Sequence, residues 1–377
     1  MINLRVLHLH SSFNPGGKEL RAAKLINAFG PGIAHSIVSG VPGALGAAER
    51  IDPKVPADYP DFPPLTGGPS LDRYRRLAEA MHGFDLVLTY NWGAMDAVMA
   101  HRLFAKRLGL PPLVHHEDGF NHDEAAGLKR SRNWFRRLAL PTVAALVVPS
   151  KVLEQIALTS WRQPPARVRR IANGIPLADF ARSPQTDALP GLVKQPGELW
   201  AGTMAGLRAV KNLPDLVSAC RLLRSPWKLV IVGEGPERAA IEARIAELGM
   251  QDRVFLPGHA PDPAAVMGLF DLFALSSDSE QFPISVVEAM AAGLPVAATD
   301  VGDILDMVAE PNRPFVRDVS SKAQLMVAIT SLAETAALRA EIGAANRIKA
   351  QAEYGEDAMI LAYRETYAHA LGRAGFP

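Results

Sequence analysis

Residues 280–296 read Glu280-Gln281-Phe282-Pro283-Ile284-Ser285-Val286-Val287-Glu288-Ala289-Met290-Ala291-Ala292-Gly293-Leu294-Pro295-Val296. Pro283 suits a first helical turn, where its missing N–H would have had no partner in any case. Ile284 to Ala292 is compact and helix-compatible, and Gly293 with Pro295 ends the run. The stretch therefore reads as loop, helix, stop, with Glu280 in the loop and Glu288 inside the helix. Free amides at the helix start, near Ile284 and Ser285, lie between the two carboxylates and favour an anion. Carboxylate, anion cradle, carboxylate is the layout that a sugar, a diphosphate and a ribose in a row require.

Outward from this stretch, short apolar segments alternate with longer helical patterns, the rhythm of parallel-sheet proteins. In the first half the predicted strands are Arg5–Leu9, Ser36–Ser39, Leu86–Thr89, Leu113–His116 and Ala145–Val148, with helices over Lys18–Phe29 and Ala94–Leu108. Residues 183–197, rich in Pro, Gln and Gly, read as a linker. The rhythm then restarts with Leu199–Thr203, Lys228–Val232, Val254–Pro257, Leu272–Ala274 and Val296–Ala298. At 377 residues, 48% of them hydrophobic, the chain can build two such domains, each with its own core. The expected boundaries are 1–182, 183–355 and a terminal segment 356–377, with a cleft between two doubly wound domains.

Composition narrows the setting. The one cysteine, Cys220, cannot form an internal disulfide, and no signal peptide or membrane-length apolar run is seen, so a cytoplasmic location is expected. Up to Arg182 there are 23 Lys+Arg against 15 Asp+Glu, a balance of +8; the remainder holds 17 against 24, a balance of −7, which together give +1. A basic half joined to an acidic half points the first half at something anionic. An anionic membrane surface or phosphorylated lipid fits, while no motif supports nucleic acid.

Several segments carry candidate chemistry. Gly202 to Asn212 ends a strand in small residues and then presents Arg208 and Lys211 before a helix, an end where the dipole disfavours cations. An Arg fork and a Lys point charge there can stabilise a departing diphosphate. Val230 to Pro236 runs a buried strand into Gly233-Glu234-Gly235, a turn that lets backbone approach a ligand or is simply tight. Asn14-Pro15-Gly16-Gly17 makes a similar approach in the first half, at the start of the helix from Lys18. His115-His116-Glu117-Asp118-Gly119-Phe120 crowds ionisable groups at a strand end, and one of the two histidines is expected in the core. Lys129 to Leu140 interleaves five cations with Trp134 and Phe135, which reads equally as a solvated basic face or as a helix lying on anionic lipid.

The Glu280…Glu288 stretch, with its Phe-Pro entry and Glu-Ala-Met-Ala-Ala-Gly-x-Pro-Val exit, resembles the signature of retaining family-4 glycosyltransferases of the GT-B fold. The resemblance implies that Glu280 meets donor-sugar hydroxyls and Glu288 holds the ribose. It implies that Arg208 and Lys211 lie on the diphosphate in place of a metal, so the Asp278-Ser279-Glu280 run is not a metal site and no cofactor is expected. Gly16 and Gly17 would form the loop between acceptor and donor phosphate, with Gly233, Pro283, Ile284 and Ser285 also on the donor side. Many members place a His at the strand end where this chain, counted from Pro112, offers Asp118; His116 is the second candidate. The expected activity is sugar transfer from a UDP- or GDP-sugar to a glycan or lipid-linked acceptor in envelope or exopolysaccharide synthesis. A GT-B epimerase and a non-catalytic nucleotide-sugar-binding scaffold are the alternatives. The family's last helix returns to the first domain, and Glu356 to Leu371 is placed to do so.

Overall fold

The alternation resolves into two parallel sheets in the computed structural model, which describes residues 4–120, 124, 127–260 and 262–377. The chain divides into two units, one of residues up to Ala172 together with Ala358–Pro377, the other Asn173–Asp357. The sequence puts these breaks after 182 and 355. The difference at the first break has a local cause: Ile175 bridges to Gly355, which ties residues just past Ala172 to the second unit.

The first unit holds β1 (Leu4–His10), β2 (Ile33–Ser39), β3 (Ala57–Asp58), β4 (Leu86–Tyr90), β5 (Leu113–His116), β6 (Ala145–Val148) and β7 (Val168–Arg170). They form one sheet in the order β3-β2-β1-β4-β5-β6-β7, every pair parallel. Strand residues alternate between two cores, because successive side chains point to opposite faces. Leu4, Val6, Leu88 and Val114 pack with α1 (Gly17–Phe29) and α14 (Glu356–Ala370). Leu7, Leu9, Val87 and Leu113 pack with α2 (Leu71–Ala80), α3 (Met95–Leu108), α4 (Arg130–Ala139) and α5 (Lys151–Thr159). Helix α14 contributes Met359, Tyr363 and Tyr367 to the first of these cores. Each is worth about 1.5–3 kcal/mol of burial.

The second unit holds β8 (Leu199–Met204), β9 (Trp227–Val232), β10 (Val254–Gly258), β11 (Leu272–Leu275), β12 (Val296–Thr299) and β13 (Val316–Arg317). Their order is β10-β9-β8-β11-β12-β13, again all parallel. Its helices are α6 (Leu177–Phe180), α7 (Leu213–Ala219), α8 (Arg238–Glu247), α9 (Pro263–Met267), α10 (Ile284–Ala291), α11 (Ile304–Met307), α12 (Lys322–Glu334) and α13 (Ala336–Glu353). Helix α10 forms where the sequence places it, with Val286, Val287, Ala289, Met290 and Ala291 buried, and Pro283 just outside the first turn at the N-cap. It stops at Gly293, whose φ of +78° suits glycine, and Arg347 Nη2 donates to the terminal carbonyl of Ala292 at 2.8 Å. In each sheet the strand order reverses once, at β1/β4 and at β8/β11. Ligands of open α/β sheets bind beyond the carboxyl ends of strands at such a point. Among the described residues no helix is long and apolar enough to cross a membrane.

Candidate active site

In the second unit the two strands at the reversal deliver the predicted residues to one place. The loop after β8 carries Arg208 and Lys211, and the loop after β11 carries Glu280. Lys211 Nζ donates to Glu280 Oε1, which also accepts from Ser277 Oγ at 2.8 Å. The pair is mostly buried, with side-chain exposures of 15% and 12%. Backbone ties hold the two loops together: Asp278 N–H donates to Val210 O at 2.9 Å, and Ser276 Oγ donates to Lys211 O at 2.9 Å. Asn212, at φ +46°, turns the chain into α7 and donates through Nδ2 to Asp278 Oδ1 at 2.9 Å and Asp215 Oδ2 at 2.8 Å. Arg208 stands exposed beside this pair in sequence, and no ion pair engages it among the described residues. Pro283 offers no side-chain acceptor to the amides of Ile284 and Ser285 at the start of α10, and no acidic residue occupies that first turn. Glu288 sits one turn further along α10, half-buried.

Gly233 has a use within the fold itself. Its φ is +141°, and a Cβ there would lie 1.9 Å from Ala205 O. The close approach it permits is to the neighbouring loop of the protein, clamped by Ala205 N–H to Val232 O at 3.0 Å and Gly233 N–H to Gly258 O at 2.8 Å. Gly233 therefore sets the course of the 205–208 loop that presents Arg208. Replacing Gly233 with Ala is expected to destabilise the second unit by on the order of 3 kcal/mol, from backbone strain plus overpacking. A urea titration of the variant measures this.

In the first unit, Asp118 lies beyond the end of β5 and is bound by both ends of the Arg21 guanidinium, with Nη2 to Oδ2 at 2.8 Å. Burial alone would raise the Asp118 pKa, but the charge and hydrogen bonds of Arg21 outweigh it and hold the carboxyl below its ordinary range. Asp118 N–H donates to Asn91 Oδ1 at 2.7 Å, which fixes the peptide as well. His116 is 1% exposed; Nδ1 lies 3.1 Å from Thr89 O and Nε2 2.9 Å from the Tyr367 hydroxyl. Thr89 O can only accept, so Nδ1 carries the proton and Nε2 accepts from Tyr367. Burial, then the nearby Arg21 charge, pushes the His116 pKa down to about 3. The ring is a neutral, fully engaged core group, which leaves Asp118 as the strand-end residue of the two. Both histidines are buried, not one: His115 faces the opposite side, with Nδ1 2.8 Å from Thr89 Oγ1. Gly16 is the N-cap of α1 and Gly17 its first, exposed residue.

Two features escaped the sequence reading. Arg21 falls on the stripe Arg21, Ala22, Leu25, Ile26, Phe29 that α1 buries, and a cation on such a stripe signals an internal partner. His10 stacks on Tyr90 at 3.9 Å, and Tyr90 on His116 at 4.6 Å; both ring nitrogens of His10 are buried without a partner. The five cations of residues 129–140 do not share one face. Arg136 is fully buried, with Nε 3.0 Å from Glu117 Oε2 and its guanidinium over Trp92, Phe120 and Trp161. Arg132 Nη1 binds Glu124 Oε2 at 2.8 Å. Two of the five cations are thus internal, because a helix packed on a sheet turns one stripe inward.

Two doubly wound parallel sheets, with a cationic loop and a carboxylate at the reversal of the second, define a protein of the GT-B class. The glycosyl transferase 4-like domain model matches residues 21–174, and the glycosyl transferases group 1 model matches residues 190–349. The chain belongs to this glycosyltransferase family. It is 26% identical over 170 residues to the N-acetyl-alpha-D-glucosaminyl L-malate synthase of Bacillus anthracis, a stretch covering 45% of each chain. It is 27% identical over 284 residues to the GDP-mannose-dependent alpha-mannosyltransferase of Mycolicibacterium smegmatis, covering 72% of this chain and 71% of that one. Thus the chain spans about half the length of the first of these relatives. In fold it is similar to Anabaena HepE, solved in complex with UDP: TM-score 0.78, 19% identity, 97% of this chain and 100% of that one.

Proposed function

We propose that the protein is a retaining, metal-independent glycosyltransferase that moves a sugar from a nucleoside-diphosphate sugar to an acceptor hydroxyl in envelope or exopolysaccharide synthesis. The observation that carries the reading is the Lys211–Glu280 pair at the β8/β11 reversal, one loop away from the uncapped start of α10. An anion there meets Lys211, Arg208 and the amides of Ile284 and Ser285. A ribose reaches Glu288 one turn on, and Glu280 remains for the sugar hydroxyls. The family's relatives include an enzyme named for GDP-mannose and a structural neighbour solved with UDP, so UDP- and GDP-sugars are the donors to try.

In the reaction the bond from the sugar's anomeric carbon to the diphosphate breaks on the same face on which the acceptor oxygen bonds. The acceptor's proton passes to a diphosphate oxygen, so no protein base is required. Arg208 and Lys211 stabilise the charge that builds on the leaving diphosphate. Asp118, held ionised by Arg21 at the end of β5, is the first unit's candidate for contact with the transferred sugar. The acceptor is a glycan, carried on lipid in envelope synthesis. The test is release of UDP or GDP from each sugar nucleotide with and without sugar acceptors, with the anomeric configuration of the product read by NMR. Transfer with retention is expected; transfer with inversion, or epimerisation of the donor without transfer, overturns the reading.

A further inference from the structure

A buried cluster of charge lies where β4 and β5 of the first unit end. Arg136 reaches it from α4 and is fully buried, as are Glu117 and His115. Its Nε donates to Glu117 Oε2 at 3.0 Å, and Nη1 lies 3.8 Å from Glu124 Oε1. The rings of Trp92, Phe120 and Trp161 enclose the guanidinium, with centroids at 5.0, 5.5 and 4.9 Å. The arrangement is costly. Nη1 and Nη2 of Arg136, Oε1 of Glu117 and Nε2 of His115 are all buried with no hydrogen bond among the described residues. A buried ion pair with this much left unspent is often less stable than an apolar pair of the same volume. The core of this helix layer is otherwise aliphatic and aromatic, so packing alone gives no reason for an arginine here.

What the guanidinium touches supplies the reason. Glu117 precedes Asp118 and Phe120 follows it by two, so Arg136 holds the chain on both sides of that residue. Trp92 follows Asn91, whose Oδ1 accepts from Asp118 N–H at 2.7 Å and whose own N–H donates to His116 O at 2.8 Å. Asn91 sits at φ +55° and ψ −172°. Few residues other than glycine adopt that conformation, and it persists only where the surroundings enforce it. The turns after β4 and β5, neighbours in the sheet, thus close on one cation. We infer that Arg136 is a positioning residue for sugar transfer: it clamps these two turns and so fixes the backbone of Asp118, while Arg21 fixes the carboxylate. This role rests on Asp118 being the first unit's contact with the transferred sugar. Stability is given up at the cluster for a rigid strand end, the place where open α/β sheets meet their ligands.

The test removes the buried pair as a pair. In Glu117→Leu with Arg136→Met neither charge is left alone, so the full chain is expected to fold and to melt at or above the wild-type temperature. Hydrogen exchange read by mass spectrometry should nonetheless quicken by about tenfold or more in peptides spanning 88–95 and 114–120, with β8 and β9 unchanged. The kcat for transfer should fall by about tenfold to a hundredfold, the scale set by small misplacements of a reacting group. KM for the sugar nucleotide should stay near wild type, because its diphosphate and ribose contacts lie in the second unit. An arginine with a merely structural role gives the opposite pattern, activity that follows the melting temperature. If the double variant does not fold, Arg136→Lys, which keeps the charge but not the planar fork, is put through both assays and must show both losses. Wild-type exchange in the two peptides, or wild-type kcat in a folded variant, overturns the inference. If the wild type transfers no sugar from any donor, the proposed function fails, and the exchange result alone decides whether Arg136 clamps the turns.

Discussion

Lys211→Met is expected to lower kcat for sugar transfer by about a hundredfold to a thousandfold, the loss typical of removing one preorganised charge from a developing anion. The side chain is held for that task. Its Nζ is fixed on Glu280, and the Ser276 hydroxyl bonds the carbonyls of Lys211 and Asn212 at 2.9 and 3.0 Å. Charge builds on the diphosphate mainly as the sugar leaves, so kcat should fall further than KM for the donor rises. Lys211→Arg keeps the charge but not the point geometry and should recover part of the rate. Arg208→Ala should lose less in stability than Lys211→Met, since no ion pair is broken, while losing a comparable share of rate. Steady-state kinetics on the three variants, with their melting temperatures, separate these effects. A Lys211→Met enzyme within about threefold of wild type is incompatible with the assignment, given the size of the charge effect it should remove.

Mild acid is expected to unfold the first unit before the second. His8, His10, His35 and His116 are buried together on the face of the sheet covered by α1 and α14, linked by His8 Nε2 to His35 Nδ1 at 2.9 Å and by stacking on Tyr90. Burial is the main cause that lowers each pKa; the neighbouring His35 adds to it at His8, and the Lys18 charge at His10. His35 falls to about 4 and His116 to about 3, against an ordinary 6.5. The unfolded chain therefore binds protons below about pH 6.5 that the folded unit refuses, so stability falls as pH falls through that window. Each histidine contributes up to about 1.4 kcal/mol per pH unit, and four together on the order of 5 kcal/mol per unit below about pH 5.5. The Arg21–Asp118 pair acts in the same direction at lower pH, because the Asp118 carboxyl is held below its ordinary value. Ordinary unfolding free energies are about 5–15 kcal/mol, so the first unit should open near pH 4. The second unit contains only His259, which is exposed. Hydrogen exchange, corrected for intrinsic rates, should show β1 and β4 losing protection between pH 6.5 and 4.5 while β8 and β9 keep theirs. Equal loss in both units would contradict the account.

Strands that run through the middle of a sheet were all legible, two of them to the residue and the others with ends displaced by one to three residues. Leu113–His116 and Ala145–Val148 are short apolar runs bounded by breakers, as burial on both faces requires. The strands that went unseen, Ala57–Asp58, Val168–Arg170 and Val316–Arg317, are two or three residues long and lie at sheet edges, where half the backbone faces solvent and no apolar run is needed. Helix α10 was legible because its signal is local: a proline, a helix and a glycine stop within one stretch. What could not be read were pairings made by the sheet. Lys211 and Glu280 stand 69 positions apart, and Arg21 and Asp118 stand 97 apart. The packing of Gly233 against Ala205 could not be read for a related reason, since Ala205 comes from an adjacent strand end. Composition counts the five cations of residues 129–140 without saying which face each of them occupies.

The most direct test of the central claim is the melting temperature of the purified chain with a panel of nucleoside diphosphates and sugar nucleotides, repeated for each hit in Glu288→Ala. A ligand that binds only the folded state raises the transition by an amount set by its concentration over its affinity. The account predicts a rise with one base and its sugar nucleotide, lost or much reduced in Glu288→Ala because the ribose contact is gone. No rise with any nucleotide at millimolar concentration in a folded sample, or a rise that Glu288→Ala leaves unchanged, would contradict it.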